Sequence, residues 1–254
     1  MIFHDDYAQV PPAEVDRFVA SQELGRLITV GADGTPHVGL YPFVRQGAVV
    51  DLHLVREDEL TIDLEARPRC VFEVDEVLGV IPSYWVHAEY AGSATAYHRT
   101  VIFECRATVL ENPAAVAAQQ VRLLARYQPE GGFRTLDPDD PLYRGALRQL
   151  AAVRLDVERT RVKFKLGQNR PAQARRRIIA ALRQRGRPAD GRAADALEWT
   201  LTTAPPDAAS PPSGPSQDSP LAEAPDGVVS FSGRTTRPMP SPRPRPQEEH
   251  VWQR

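Results

Sequence analysis

The sequence holds only two cysteines, Cys70 and Cys105, in 254 residues, and both sit inside apolar, strand-like runs. That excludes a disulfide framework and reads as buried, reduced thiols. No apolar run approaches the roughly 20 residues that a membrane-spanning helix needs. The N-terminus, MIFHDDYAQV, carries two aspartates and no basic region, so no secretory leader is expected and the setting reads as cytoplasmic. Charge of one sign is missing as well, since 31 basic and 33 acidic residues leave a net charge of −2. Such a chain has no global field to draw nucleic acid or an anionic membrane, although a local basic patch stays open. There is no G-x-G-x-x-G, no Walker A loop and no regular β/α alternation, which removes Rossmann and TIM-barrel architectures. No third His, Cys or carboxylate joins His37 and His53 in a ligand pattern, so no metal site is expected. No Ser-His-Asp or Cys-His order supports nucleophilic catalysis.

What is present is ordinary for a globular protein, at 42% hydrophobic and 25% charged residues. The composition breaks near residue 200: from Leu201 on, the chain holds half of its 24 prolines. That segment has too little apolar surface to offset its ordering entropy. It divides the chain into a folded domain, 1–200, and a disordered proline-rich tail, 201–254.

Within the folded part, Pro11-Pro12 opens a helix with Val15, Phe18 and Val19 on one face. RLITV (26–30) reads as a strand and Gly31–Gly34 as a hairpin turn. The stretch PHVGLYPFVRQGAVVDLHLVRED (36–58) gives two short strands joined at Gln46-Gly47 and leads into a helix. A His and an Arg at the last strand's exit, beside helix N–H groups, would suit a phosphate. An ordinary hairpin with charged ends is the simpler reading of the same residues. Strands follow at 69–74, 86–96 and 98–111, the last the clearest. A helix runs from Asn112-Pro113 to Tyr127, and the Asp/Pro cluster at 137–141 is a loop. A further strand at Arg161–Leu166 leads through a polar turn into a helix with Arg175–Arg177 toward solvent. Trp85 and Tyr84 suit packing better than ligand stacking. About six strands with short helices in meandering order indicate a mainly β fold, a small barrel with helices at its rim.

Three motifs then resemble the FMN-binding negative transcriptional regulator family, within the pyridoxamine phosphate oxidase-like split barrels. They are G-x-P-H-V-x-x-x-P-F (Gly34–Phe43), L-H-L-V-R (Leu52–Arg56) and I-P-S-Y-W (Ile81–Trp85). The clearest segment is K-L-G-Q-N-R-P (Lys165–Pro171) before a basic helix. The resemblance implies a six-stranded split β-barrel of the FMN-binding type, forming a homodimer with FMN in a groove between subunits. It implies that His53 and Arg56 face the FMN phosphate, and that Pro42 and Leu54 offer backbone and apolar surface to the ring. Lys165 and Gln168 would close the groove, from the partner subunit if the groove is shared. Three positions depart from the family pattern: Gly167 where a Ser is usual, Asp58 where an Asn is usual, and SATAY (93–97) in place of Pro-Thr-Trp-Asn-Tyr. Two functions follow, an FMN-dependent oxidoreductase acting on a small molecule or a flavin-binding regulator without turnover. A barrel that has lost its flavin is a third. The cofactor can carry the redox chemistry itself, which fits the missing catalytic constellation.

Overall fold

The computed structural model describes residues 5–202. Of the tail read from Leu201 on, Leu201 and Thr202 end the last helix and the rest lies outside the described residues. After two N-terminal helices, α1 (Asp5–Ala8) and α2 (Pro12–Ser21), come strands β1 (Leu24–Val30), β2 (Pro36–Pro42), β3 (Val44–Gln46) and β4 (Val49–Val55). Helix α3 (Glu59–Ala66) precedes β5 (Arg69–Ile81) and β6 (Thr95–Leu110), and α4 (Pro113–Tyr127) and α5 (Pro141–Gln149) precede β7 (Leu150–Lys165). Helices α6 (Ala172–Arg185) and α7 (Asp190–Thr202) close the described chain. Three helix starts have a capping side chain. Asp58 accepts the Leu60 N–H at 2.9 Å, Asn112 accepts the Ala114 N–H at 2.8 Å and Asp140 accepts the Leu142 N–H at 2.9 Å, all satisfying orphan donors of a first turn.

The strands form one antiparallel sheet in the order β2-β1-β5-β6-β7-β4-β3. This corrects the expectation of a six-stranded barrel: there are seven strands, and no hydrogen-bonded ladder closes the sheet among the described residues. The physical reason lies at Pro42-Phe43. Proline has no N–H to give a ladder, and the Phe43 side chain turns into the core. The Phe43 backbone N–H goes instead to the Tyr127 hydroxyl at 3.1 Å, and the single hydroxyl proton is shared between the carbonyls of Phe43 (2.8 Å) and Glu23 (2.6 Å). The two edge strands are nevertheless consecutive in the chain, so the sheet must curl until its edges approach each other at Phe43.

The main core fills the inside of this curl. Phe43 meets Phe72 edge-on at 5.1 Å and Phe18 meets Phe164 at 5.2 Å, with Leu27, Leu52, Leu54 and Phe103 around them. A smaller cluster, Val116, Ala117, Leu147 and Ala152, seats α4 and α5 on β7.

Four local expectations are corrected. Residues 86–94 are not strand: β5 runs on to Ile81, and two 3₁₀ turns, 83–85 and 91–93, intervene before β6. The loop read at 137–141 gives way at Pro141 to α5, because Asp140 caps it. β7 is one strand of 16 residues, since its N-terminal half pairs with both β4 and β6. Arg175 does not face solvent; it is buried and donates to the Thr200 carbonyl at 2.8 Å, tying α6 to α7. Among the described residues no helix is long and apolar enough to cross a membrane.

Candidate functional site

The strand-exit residues sit where β4 leaves the sheet. His53 lies opposite Ala152 of β7 and Leu54 opposite Ala151. Successive strand residues point to opposite faces, so the two do not line one surface: Leu54 is 2% exposed in the core, while His53 is half-buried on the other face. The His53 Nδ1 is buried without a partner, and burial lowers the pKa of the ring, favouring the neutral imidazole. β3 pairs only with Val49–Asp51, so the outer edge of Leu52–Val55 carries no strand. Arg56 is already engaged. Its Nε donates to the Leu150 carbonyl at 3.1 Å, one Nη to the Glu111 carboxylate at 3.3 Å, and the other to the Glu111 carbonyl. A guanidinium has five N–H donors, so two remain on a group already held rigid. Asp58 does not threaten an anion here, because its carboxylate is turned into the first turn of α3. Pro42 is exposed at the sheet edge, opposite Leu24.

Lys165 and Gln168 lie at the far end of β7. Thirteen residues separate Ala152, beside His53, from Lys165. At about 3.3 Å per residue that is roughly 40 Å of strand. One chain therefore cannot bring His53 and Lys165 to one ligand. Gln168 folds onto its own turn, its Oε1 accepting the Leu166 N–H at 2.8 Å and its Nε2 donating to the Phe164 carbonyl at 2.5 Å. It fixes the turn that presents Lys165.

Around that turn is a cavity of about 280 Å³, lined by Tyr7, Thr95, Tyr97, Lys165, Asn169 and Arg170 among others. Tyr97 comes from β6 and is 1% exposed, and its hydroxyl has no hydrogen-bond partner. Burial raises the phenol pKa; the nearby Arg170 charge pulls the other way without closing a bond of ordinary geometry. Gly167 is needed twice over. Its φ is +78°, and an added Cβ would stand 2.3 Å from the Tyr97 hydroxyl. Arg170 spans to the loop before β6, donating to the Ser93 carbonyl at 3.3 Å.

The sequence reading chose Lys165 and Gln168 from this turn but missed Tyr97, Asn169 and Arg170. A signal for Tyr97 existed: it is in phase with the inward-facing Val101, Phe103 and Cys105 of β6. It also missed a hydrogen-bonded set on the other side of α3. There the buried Asp63 accepts from Thr29 at 2.7 Å and meets the His37 Nδ1 at 2.7 Å. That bond raises the pKa of His37. Among the described residues no group of three or more His, Cys, Asp or Glu could hold a metal.

Residues 1–159 match the family described as "Putative FMN-binding domain". The chain belongs to this family. FMN is accordingly its cofactor, and the match ends within β7, short of Lys165. Three solved structures share the fold of this FMN-binding family member. A conserved hypothetical protein from Mycobacterium tuberculosis is 23% identical over 67% of this chain and 94% of its own, with a TM-score of 0.50. The flavocytochrome Anf3 from Azotobacter vinelandii is 19% identical over 62% of this chain and 69% of its own, with a TM-score of 0.52. An FAD- and heme-binding protein from Mycobacterium smegmatis is 17% identical over 68% and 80%, also with a TM-score of 0.52. No curated protein matches the chain. The residues present fit a flavin nucleotide: a buried His53 nitrogen lacks a partner, the β4 edge beside it is open, and Arg56 retains free donors.

Proposed function

We propose that this FMN-binding protein is an oxidoreductase acting on a small molecule, with the flavin held between two copies of the chain. The observation that carries the reading is the division of the motif residues between the two ends of β7. Each end is polar and incomplete, and a second copy running the other way would set one against the other. Apolar residues on the outward face of the β2 edge favour such a contact, with Val38 59% and Leu40 55% exposed.

When bound, FMN supplies hydride or electron transfer and asks little acid–base work of the protein. The chain's own residues bind and orient. The Arg56 guanidinium, fixed on Glu111 and Leu150, offers its remaining donors to a phosphate without loss of side-chain freedom on binding. Neutral His53 offers one ring nitrogen, and the open Leu52–Val55 edge offers backbone groups. From the partner copy, the Gln168-braced turn would bring Lys165 over the groove.

The test is the absorbance spectrum of the purified full chain during titration with FMN, followed by reduction and re-oxidation with small electron-poor acceptors, with mass by light scattering. A perturbed flavin spectrum, a dimeric mass and acceptor-dependent re-oxidation support the proposal. A flavin spectrum unchanged by the protein removes it, and a monomer that still binds FMN removes the shared groove.

A further inference from the structure

The cavity at the β7–α6 turn has a composition unlike the strand exit. Two cations, Lys165 and Arg170, line it together with two phenols and an amide, and none of its lining residues is a carboxylate. The turn enters α6, a helix of 14 residues whose first N–H groups receive no side-chain cap from Pro171. A helix start alone would mean little. Here it coincides with Tyr97, a buried phenol that lines the cavity beside Arg170 and whose hydroxyl closes no hydrogen bond of ordinary geometry. A buried hydroxyl without a partner is costly, and an anion accepting its proton would satisfy it. The exposed Tyr90 ring lies beside Gly92, one of the lining residues: a Cβ there would stand 2.4 Å from it.

We infer that this cavity is an anion site that takes the phosphate or carboxylate group of the small-molecule substrate, with Tyr97, Lys165 and Arg170 as its donors. The word substrate rests on the oxidoreductase reading; the anion chemistry does not. The volume, about 280 Å³, admits an anionic head with a few atoms attached. A single chain supplies every donor, and the site stands a full β7 strand away from that chain's His53 and Arg56. A planar substrate would rest its ring against Tyr90 while its anion enters the cavity.

Calorimetric titration of the full chain with inorganic phosphate, beside fluorescence titrations with FMN and with riboflavin, tests the assignment. Phosphate is expected to bind, and Arg170→Ala to weaken it about tenfold, as for loss of a charge-assisted hydrogen bond. Asn169→Asp, an exposed and nearly isosteric change, is expected to weaken phosphate to a similar extent without disturbing the fold. FMN affinity should change less than about twofold in both, a difference of under half a kcal/mol. Absence of phosphate binding, or phosphate binding unchanged in both variants, overturns the inference. If the variants weaken FMN but not riboflavin, the cavity holds the cofactor's own phosphate and the inference falls. If the unmodified chain fails to bind FMN yet binds phosphate through Arg170, the anion site stands and the flavin reading fails.

Discussion

Gly167→Ala tests whether the polar turn is held in place by its contact with Tyr97. At φ +78° an alanine pays the left-handed penalty, about 1 kcal/mol. Its Cβ would also stand 2.3 Å from the Tyr97 hydroxyl and 2.9 Å from the ring carbon that bears it. Tyr97 is 1% exposed, so moving it costs core packing, and overpacking of this kind costs about 2 kcal/mol more. The sum, about 3 kcal/mol, corresponds to a fall of about 10 °C in Tm for a domain of this size. Tyr97→Phe alone removes a hydroxyl without a partner, so it should be neutral or stabilise by up to about 1 kcal/mol. In the double variant the hydroxyl clash is gone while the backbone strain and part of the ring contact remain, so the two changes should couple by about 1 kcal/mol. Urea denaturation of the four proteins, followed by tryptophan fluorescence, gives the cycle. Gly167→Ala within about 0.5 kcal/mol of the parent, or strict additivity, would refute the reasoning.

Three further outcomes follow from other parts of the fold. The Asp63 bond raises the folded pKa of His37, so its stabilisation is complete below the unfolded value of about 6.5 and is lost as pH rises through the higher folded value. Burial pushes the Asp63 carboxyl up, but hydrogen bonds from Thr29 and His37 outweigh this and hold it below its ordinary range, so its share is lost as pH falls. Asp63→Asn should therefore flatten both limbs of the urea-midpoint profile against pH, and an unchanged profile would show that the set carries no linkage. Cys70 and Cys105 face each other across β5 and β6, and burial pushes both thiols up to about 12. A thiol reagent should label neither until the protein is unfolded; rapid labelling of the native chain would contradict that burial. Tyr127→Phe leaves the Phe43 N–H without its partner at the strand break and should cost about 2 kcal/mol in chemical denaturation; a loss below about 0.5 kcal/mol would mean that the break needs no staple.

Much of the fold was legible because it was local. The alternation of Val101, Phe103, Cys105 and Ala107 marked β6, and Asn112-Pro113 marked the start of α4, since period and cap chemistry act within a few residues. The hairpin at Gln46-Gly47 was legible for the same reason, with Gly47 at φ +61° and Gln46 paired to Val49. Family motifs carried the cofactor, FMN. Other features depended on partners remote in sequence. Nothing near Pro42 announces that Tyr127, more than eighty positions later, will staple the strand break. Nothing near Arg56 announces Glu111, nor does Arg175 announce Thr200, and a charged side chain reads as solvent-facing until its acceptor is placed.

The sequence by itself determined a mainly β chain with its helices, its buried thiols and the turn that carries Lys165. Those follow from side-chain period, capping and glycine conformation, which are properties of short segments. Only the tertiary structure decided that His53 and Lys165 stand at opposite ends of one long strand, and that Tyr97 and Arg170 meet at one cavity. Strand register joins residues far apart in the chain, and the register comes from the packing of the whole sheet.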